Sequence, residues 1–597
     1  MNGVQRVAGW ILGLVLAFGA FPGAVTPASA QEQYGDVTIT VLPSQPLGRL
    51  HGYQEVRLRL DNRGDRNHSI LLTLPGDTMR HPQGTYLQGV ERTVELPART
   101  AAEVSLPLPA LPAWGRGIGV EIDGAVRSPD LRWQSRHPDP WRHRFIRGRV
   151  GGASAPPAPR VLLAQPLGED DLPGPREDDE FRLYVSPLPI DQWSRQWLAY
   201  GGWDGIVMGW EQASSLRREV GDALWRYVEA GGTLWLVGTP VDLPVRGLSF
   251  AGRPLTLESR SGVVTPLATH FAGFGVIHLG PFPSLDPGDM DGVVESWRRS
   301  LGPWSIALNA GMAQNAMPVV DSVEIPVRGV FLLIVLFTLL VGPLNLVVLA
   351  RRRQRLWIFA TVPAISLVTC LAVFAYVVFD EGFIRQHRSA GLTLLDQVEQ
   401  RATTLAWSGF YSTVTLGELT FDSATEVTPF AQREGKGAPR SMRLDAGQVL
   451  TGGWVSARVP SYLILRKSED RRERLEVSLD EFSVLNGLGA DILRLWVVDE
   501  GGEIYLARNI LAGARQGLTA LGARAKGGLD AQRQLYQGDL PTRLRRLEGS
   551  PEEYLVPGTY LAAVVGNPFL EKGAAVDTGV EEFLVLGRWM DAGGATP

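Results

Sequence analysis

The chain has 597 residues, 45% of them hydrophobic, with a net charge of −5 and a single cysteine, Cys370. That length has room for about three or four domains. The modest charge, with no long basic tract outside one short arginine cluster, argues against nucleic acid as a partner. One cysteine excludes an intrachain disulfide, a cysteine-based zinc site and a thiol nucleophile in the soluble parts.

Arg6, the apolar run Val7 to Phe21 and the small-x-small site Ala28-Ser29-Ala30 read as a secretory signal peptide over residues 1–30, with the mature chain starting near Gln31. The rival reading is a retained anchor. In both, residues 31–328 are exported.

Residues 31–150 are expected to form a β-sandwich. Val37-Thr38-Ile39-Thr40-Val41, Val56 to Leu60, Thr93 to Leu96, Glu103 to Leu106 and Ile118 to Ile122 alternate apolar and polar residues, with turn residues such as Asp61-Asn62-Arg63-Gly64 between them. Residues 151–159, rich in Gly, Ala, Ser and Pro, read as a linker. Residues 160–315 change to an α/β pattern. Arg160 to Ala164, Trp203 to Met208 and Thr233 to Gly238 are buried-type strands, and Gly221 to Ala230 has helical spacing. Val293 to Leu301 is a further helix candidate.

Residues 329–350 and 356–379 carry no charge, and each is long enough to span a bilayer of about 30 Å. Arg351, Arg352, Arg353 and Arg355 lie in the short loop 351–355 between them, which the positive-inside rule puts in the cytoplasm. The expectation is a transmembrane hairpin with both flanks outside, in a bacterial inner membrane. Residues 383–597 are again strand-rich, with strands near Tyr462, Leu475, Leu493 and Tyr560, a hairpin turn at Asp499 to Glu503, and one or two helices within 509–548. The fold class expected is multidomain α+β.

The stretch Tyr200-Gly201-Gly202-Trp203-Asp204-Gly205-Ile206-Val207, followed by Leu224 to Gly238, resembles the class I glutamine amidotransferase-like domain, which implies a flavodoxin-like α/β fold. Active members of that family carry a cysteine elbow after the strand. Here the strand runs into Gly238-Thr239-Pro240, and the lone cysteine lies in an apolar segment, so a non-catalytic relative is implied. The whole layout resembles poorly characterised bacterial envelope proteins that join an exported β domain, an amidotransferase-like domain and membrane helices. Val341 to Asn345, Arg351 to Arg353, Trp357 and Pro363 carry that likeness. More distantly it is similar to exported auxiliary subunits of some ABC export and gliding systems.

Chemistry-bearing patterns are few. Asp286 to Gly292 departs from a calcium loop and reads as a turn before a helix. The acidic runs Glu169-Asp170-Asp171 and Glu177 to Glu180 read as solvated loop. The eight histidines show no metal-ligand spacing. No nucleophile elbow, phosphate-binding loop or dinucleotide fingerprint is present. No cofactor and no metal is expected.

The candidate ligand-binding positions are the carboxyl strand ends at Met208, Gly209 and Trp210 and at Gly238, Thr239 and Pro240. Gly342, Pro343 and Asn345 are the unusual residues of the first apolar segment, suited to packing within the hairpin or to docking a membrane partner. The reading is a non-enzymatic scaffold or ligand-sensing component of an envelope assembly, whose partners are the lipid bilayer and a membrane or envelope protein. The alternatives are an auxiliary subunit of an ABC-type exporter and an exported enzyme with a dispersed site. Oligomeric state is not readable.

Overall fold

The computed structural model describes residues 31–589, apart from 43–50, 76–85, 110–116, 132–141, 146–159, 168–181, 239–248, 260–267, 281–296, 298–309, 321–326, 431–438, 529–538 and isolated positions at 166, 252, 256–257, 353–354, 382–383 and 575–577. The fold is mixed α+β, mostly strands in several sheets with few helices.

Alternation of apolar and polar residues builds the first layers. Gln31–Tyr34, Val37–Leu42, Gln54–Asn62 and Ala101–Leu108 form a four-stranded antiparallel sheet. Every second residue (Val37, Ile39, Val41; Val56, Leu58, Leu60; Val104, Leu106) points to one buried face. A facing seven-stranded sheet holds His68–Pro75, Tyr86–Leu96, Ile118–Ile122 and Ala125–Leu131. Its other three strands come from far down the chain: Leu419–Phe421, Pro439–Leu444 and Gln448–Gly452. Pro439–Leu444 runs parallel to Tyr86–Leu96, pairing Pro439 with Tyr86 through to Arg443 with Glu91. Phe421, Met442, Leu444 and Leu450 are buried in the same core as Ile70, Leu72 and Val120.

The sandwich expected within residues 31–150 is therefore completed by residues from the expected C-terminal domain. Alternation reports which face a residue takes, and is silent about the neighbouring strand. The expected sandwich also loses Arg142–Phe145, which pairs with Arg182–Pro189 at the edge of the next sheet.

That next sheet has eight strands, five of them parallel. Across it run Arg182–Pro189, Arg160–Gln165, Gly205–Gly209, Thr233–Val237 and Gly275–Gly280. Thr233–Val237 is buried at every position, as a parallel strand covered on both faces must be. The helix Arg218–Glu229 lays Val220, Leu224, Tyr227 and Val228 on the core. The candidate helix at 293–301 and the linker 151–159 lie outside the described residues.

A nine-stranded sheet forms most of the C-terminal half, from Arg385–Asp396 to Thr578–Arg588. Helices Ala310–Ala316 and Leu540–Gly549 cover one face and a three-stranded sheet covers the other. The turn at Asp499 to Glu503 joins the paired strands Ile492–Val498 and Glu503–Ile510. Within 509–548 the chain forms strands Arg515–Gly517 and Thr519–Arg524 before its helix. Sheet pairing there overrides an Ala- and Arg-rich composition.

Between these halves, Val327–Leu339 and Asn345–Arg351 form one helical rod, interrupted by a π turn at Leu340–Leu344. Pro343 lies inside that turn, and its missing N–H and bulky ring account for the widened geometry. Ile358–Glu381 follows. By length and apolar composition, one stretch among the described residues, Phe331–Arg351, is able to cross a bilayer, and Ile358–Ala372 is apolar over a shorter length. Phe331, Leu332, Phe359 and Phe374 are exposed, an arrangement unsuited to water.

A fragment ending at residue 320 lacks three strands of the seven-stranded sheet. Expressed alone, it is expected to show no cooperative thermal transition by circular dichroism. Met442→Ala in the intact chain is expected to cost about 2–5 kcal/mol, the range for a buried methionine truncated in a packed core, in denaturant unfolding.

Candidate functional site

The parallel strand order reverses between Arg160–Gln165 and Gly205–Gly209, and in open α/β sheets that crevice is where ligands bind. Gln212, from the short helix Trp210–Ser214, spans it. Its side chain accepts from the Gly209 N–H (3.0 Å) and donates to the Gln165 carbonyl (2.6 Å). The structure puts Met208 wholly in the apolar core, and Trp210 packs partly buried against the same core. Gly238 is exposed at φ +73°, a left-handed conformation that favours glycine, and its N–H donates to the Gly280 carbonyl (3.1 Å). Thr239 and Pro240 lie outside the described residues, as do the acidic runs at 169–171 and 177–180 and the loop 286–292.

The densest polar chemistry lies behind this crevice, where three distant segments meet around Gly201. Both ring nitrogens of His51 face oxygens, the Gly201 carbonyl (3.1 Å) and Asp204 Oδ1 (3.0 Å). Asp204 Oδ2 accepts from the Arg160 N–H (2.8 Å) at the start of its strand. From the other side, Arg466 donates to both carboxylate oxygens of Glu426 (2.7 and 2.9 Å), to the Ala230 carbonyl (3.1 Å) and to Gly201 itself (3.2 Å). All four side chains are buried. The Ala230 carbonyl caps the helix Arg218–Glu229, an end where a cation is electrostatically favoured. Gly52, at φ +74°, lies so close to the Gly201 backbone that a Cβ there would overlap it.

Two further contacts tighten the junction. Tyr53 donates to Gln448 Oε1 (2.7 Å) and accepts from the Val427 N–H (3.2 Å), and burial pushes its hydroxyl well above the ordinary tyrosine range. Glu229 accepts from Trp225 Nε1 (2.7 Å), Arg253 (3.2 Å) and Ser468 Oγ (2.7 Å), with Arg401 Nε 3.6 Å away. Burial raises its carboxyl to about 6 against the opposing pull of Arg401, Ser468 and Trp225. Each buried carboxylate here is matched by an N–H, a hydroxyl or a guanidinium from another segment. The arrangement clamps the segments together.

None of these residues was singled out by spacing. His51 and Asp204 are 153 positions apart, and Arg466 and Gly201 are 265 apart. The available signal was charge inside apolar strands: Arg466 follows Leu463-Ile464-Leu465, and Glu426 opens a buried strand.

In the apolar helices, Asn345 is buried and donates to Thr361 Oγ1 (2.9 Å), tying the first rod to the helix Ile358–Glu381. A Cβ on Gly342 would meet open space. Arg351 ends the rod, Arg352 follows as its exposed cap, and Arg355 begins a single turn, Arg355–Trp357, while Arg353 lies outside the described residues. Among the described residues no group of three or more His, Cys, Asp or Glu could hold a metal ion.

No family model matches this chain, and no curated protein matches it in sequence.

Glu426→Ala leaves the Arg466 guanidinium buried without its carboxylate, and is expected to cost about 3–5 kcal/mol in denaturant unfolding. Glu229 predicts a pH effect. A carboxyl raised from 4.5 to about 6 holds its proton more tightly in the folded state, so its contribution is fully present below pH 4.5 and is lost as pH rises through about 6. Stability measured from pH 4.5 to 7 is expected to fall by about 2 kcal/mol more in the native protein than in Glu229→Gln.

Proposed function

We propose that the protein is a non-enzymatic, membrane-anchored envelope component, a scaffold or ligand sensor, with both soluble regions on the extracytoplasmic side. The observation that carries this reading is the shared sheet. Tyr86–Leu96 precedes the apolar helices, Pro439–Leu444 follows them, and the two strands are hydrogen-bonded neighbours. A chain whose two flanks fold into one sheet must return to the side it left, so the number of crossings between residues 321 and 383 is even. If Phe331–Arg351 crosses, Ile358–Glu381 crosses back, and the arginines between them occupy the other face, as the positive-inside rule asks.

The α/β unit serves as the binding platform in this reading. Its parallel strand order is that of doubly wound flavodoxin-like sheets, which agrees with the amidotransferase-like resemblance of residues 200–238. Gln212 then acts as the gate of the crevice between Gln165 and Gly209.

Two measurements test the proposal. In a Cys370→Ala background, Val126→Cys and Leu511→Cys, both strongly exposed and on opposite sides of the helices in sequence, are expected to react with a membrane-impermeant maleimide in intact spheroplasts. Arg352→Cys is expected to react only after permeabilisation, and the reverse pattern sinks the topology. Purification of the tagged full-length protein from its native membrane in mild detergent is expected to bring down a stoichiometric envelope protein. A homogeneous preparation with nothing attached rules out the scaffold role.

A further inference from the structure

Among the described residues, the chain connections between the nine-stranded sheet and the apolar helices lie at one end of the sheet. Ile358–Glu381 is followed almost at once by the strand Arg385–Asp396, and four residues of extended chain reach at most about 14 Å. On the other side, the chain leading to the first helix is pinned at the same end. The Tyr462 hydroxyl donates to the Met317 carbonyl (3.1 Å) and accepts from the Val319 N–H (3.4 Å), and Gln314 donates to the Val320 carbonyl (2.8 Å). Val327–Leu339 begins seven positions later.

Register identifies the rest of that end. Arg385 pairs with Ser412, Gln386 with Thr578 and Phe410 with Ser461, while the Ile384 and Thr413 backbones bond one row further out and Arg458 bonds back to Ser412. Three apolar side chains are exposed toward this end, from three separate segments: Ile384 (38%) and Val459 (41%) at the rim, and Val580 (52%) opposite Arg388, about 13 Å further along the strand. The opposite end of the same strands is the turn after Asp396, which carries Val398, equally exposed at 40%. A strand of twelve residues separates the two ends by about 36 Å.

Resting on the membrane-hairpin reading above, we propose that this end of the nine-stranded sheet docks on the outer leaflet of the bilayer, with Ile384, Val459 and Val580 seated among the lipid headgroups. The occupant follows from continuity. The rim is joined to the end of the second apolar helix by four positions of chain and to the start of the first by seven, so the surface facing it is the one from which those helices emerge. Ile384 would be near lipid through its tether alone. Val459 and Val580 are remote from the helices in sequence and carry the test.

The experiment uses full-length protein in lipid nanodiscs. An environment-sensitive nitrobenzoxadiazole label is attached at the native Cys370, or, in a Cys370→Ala background, at Val459→Cys, Val580→Cys or Val398→Cys. Lipids spin-labelled at the headgroup or along the acyl chain serve as quenchers. Blue-shifted emission and loss of intensity with headgroup-labelled lipid at positions 459 and 580, with neither at 398, is the expected result. If Cys370 is quenched by acyl-chain labels while 459 and 580 behave like 398, docking is overturned and the hairpin stands. If Cys370 itself is not quenched, the hairpin reading falls and docking falls with it.

Discussion

One carbonyl group, that of Gly201, receives hydrogen bonds from both directions along the chain, from His51 and from Arg466. Around it the first sandwich, the parallel sheet and the C-terminal sheet are locked by buried charge. Replacing such a pair by apolar groups is often close to neutral, whereas breaking it strands a charge in a medium that solvates it poorly. The cluster therefore contributes little to net stability and much to geometry. Glu426 and Arg466 are opposite one another in one sheet, and the contacts that register the units are those of Arg466 with the Gly201 and Ala230 carbonyls and of His51 with Gly201 and Asp204. The crowding of Gly52 against Gly201 leaves no slack for a second arrangement.

The parallel sheet is held from behind by this junction while its carboxyl strand ends face away from it. Among the described residues at that end, the Gln212 carboxamide bridges the Gly209 N–H and the Gln165 carbonyl.

Local elements were legible in the sequence to the extent that periodicity reports burial. The alternation in Val37 to Val41 and the unbroken apolar run at Thr233 to Val237 correspond to a one-sided strand and a fully buried one. The helix beginning near Gly221 starts three residues earlier, at Arg218. The domain plan was less legible, for a physical reason. Which strand lies beside Tyr86–Leu96 is decided by long-range packing of Met442, Leu444 and Leu450 on Ile70 and Leu72, and no local pattern encodes it. The junction was hidden in the same way, since its partners are hundreds of positions apart and become a cluster only through the fold. Of the favoured ligand positions, Met208 contributes its side chain to the core, because its parallel strand is buried on both faces up to Gly209, which is half-buried.

The parallel pairing of Tyr86–Leu96 with Pro439–Leu444 also has a cost in time. The two strands lie more than 300 residues apart. At ribosomal speeds of about 5–20 residues per second, the edge at Tyr86–Leu96 waits roughly 17–70 s for its neighbour to be made. Throughout that interval the backbone edge of Tyr86–Leu96 lacks its neighbour and offers groups that any extended chain could pair with. A newborn copy is thus a sheet with one edge unfinished, and its yield in the cell depends on whatever shields that edge until the second half arrives.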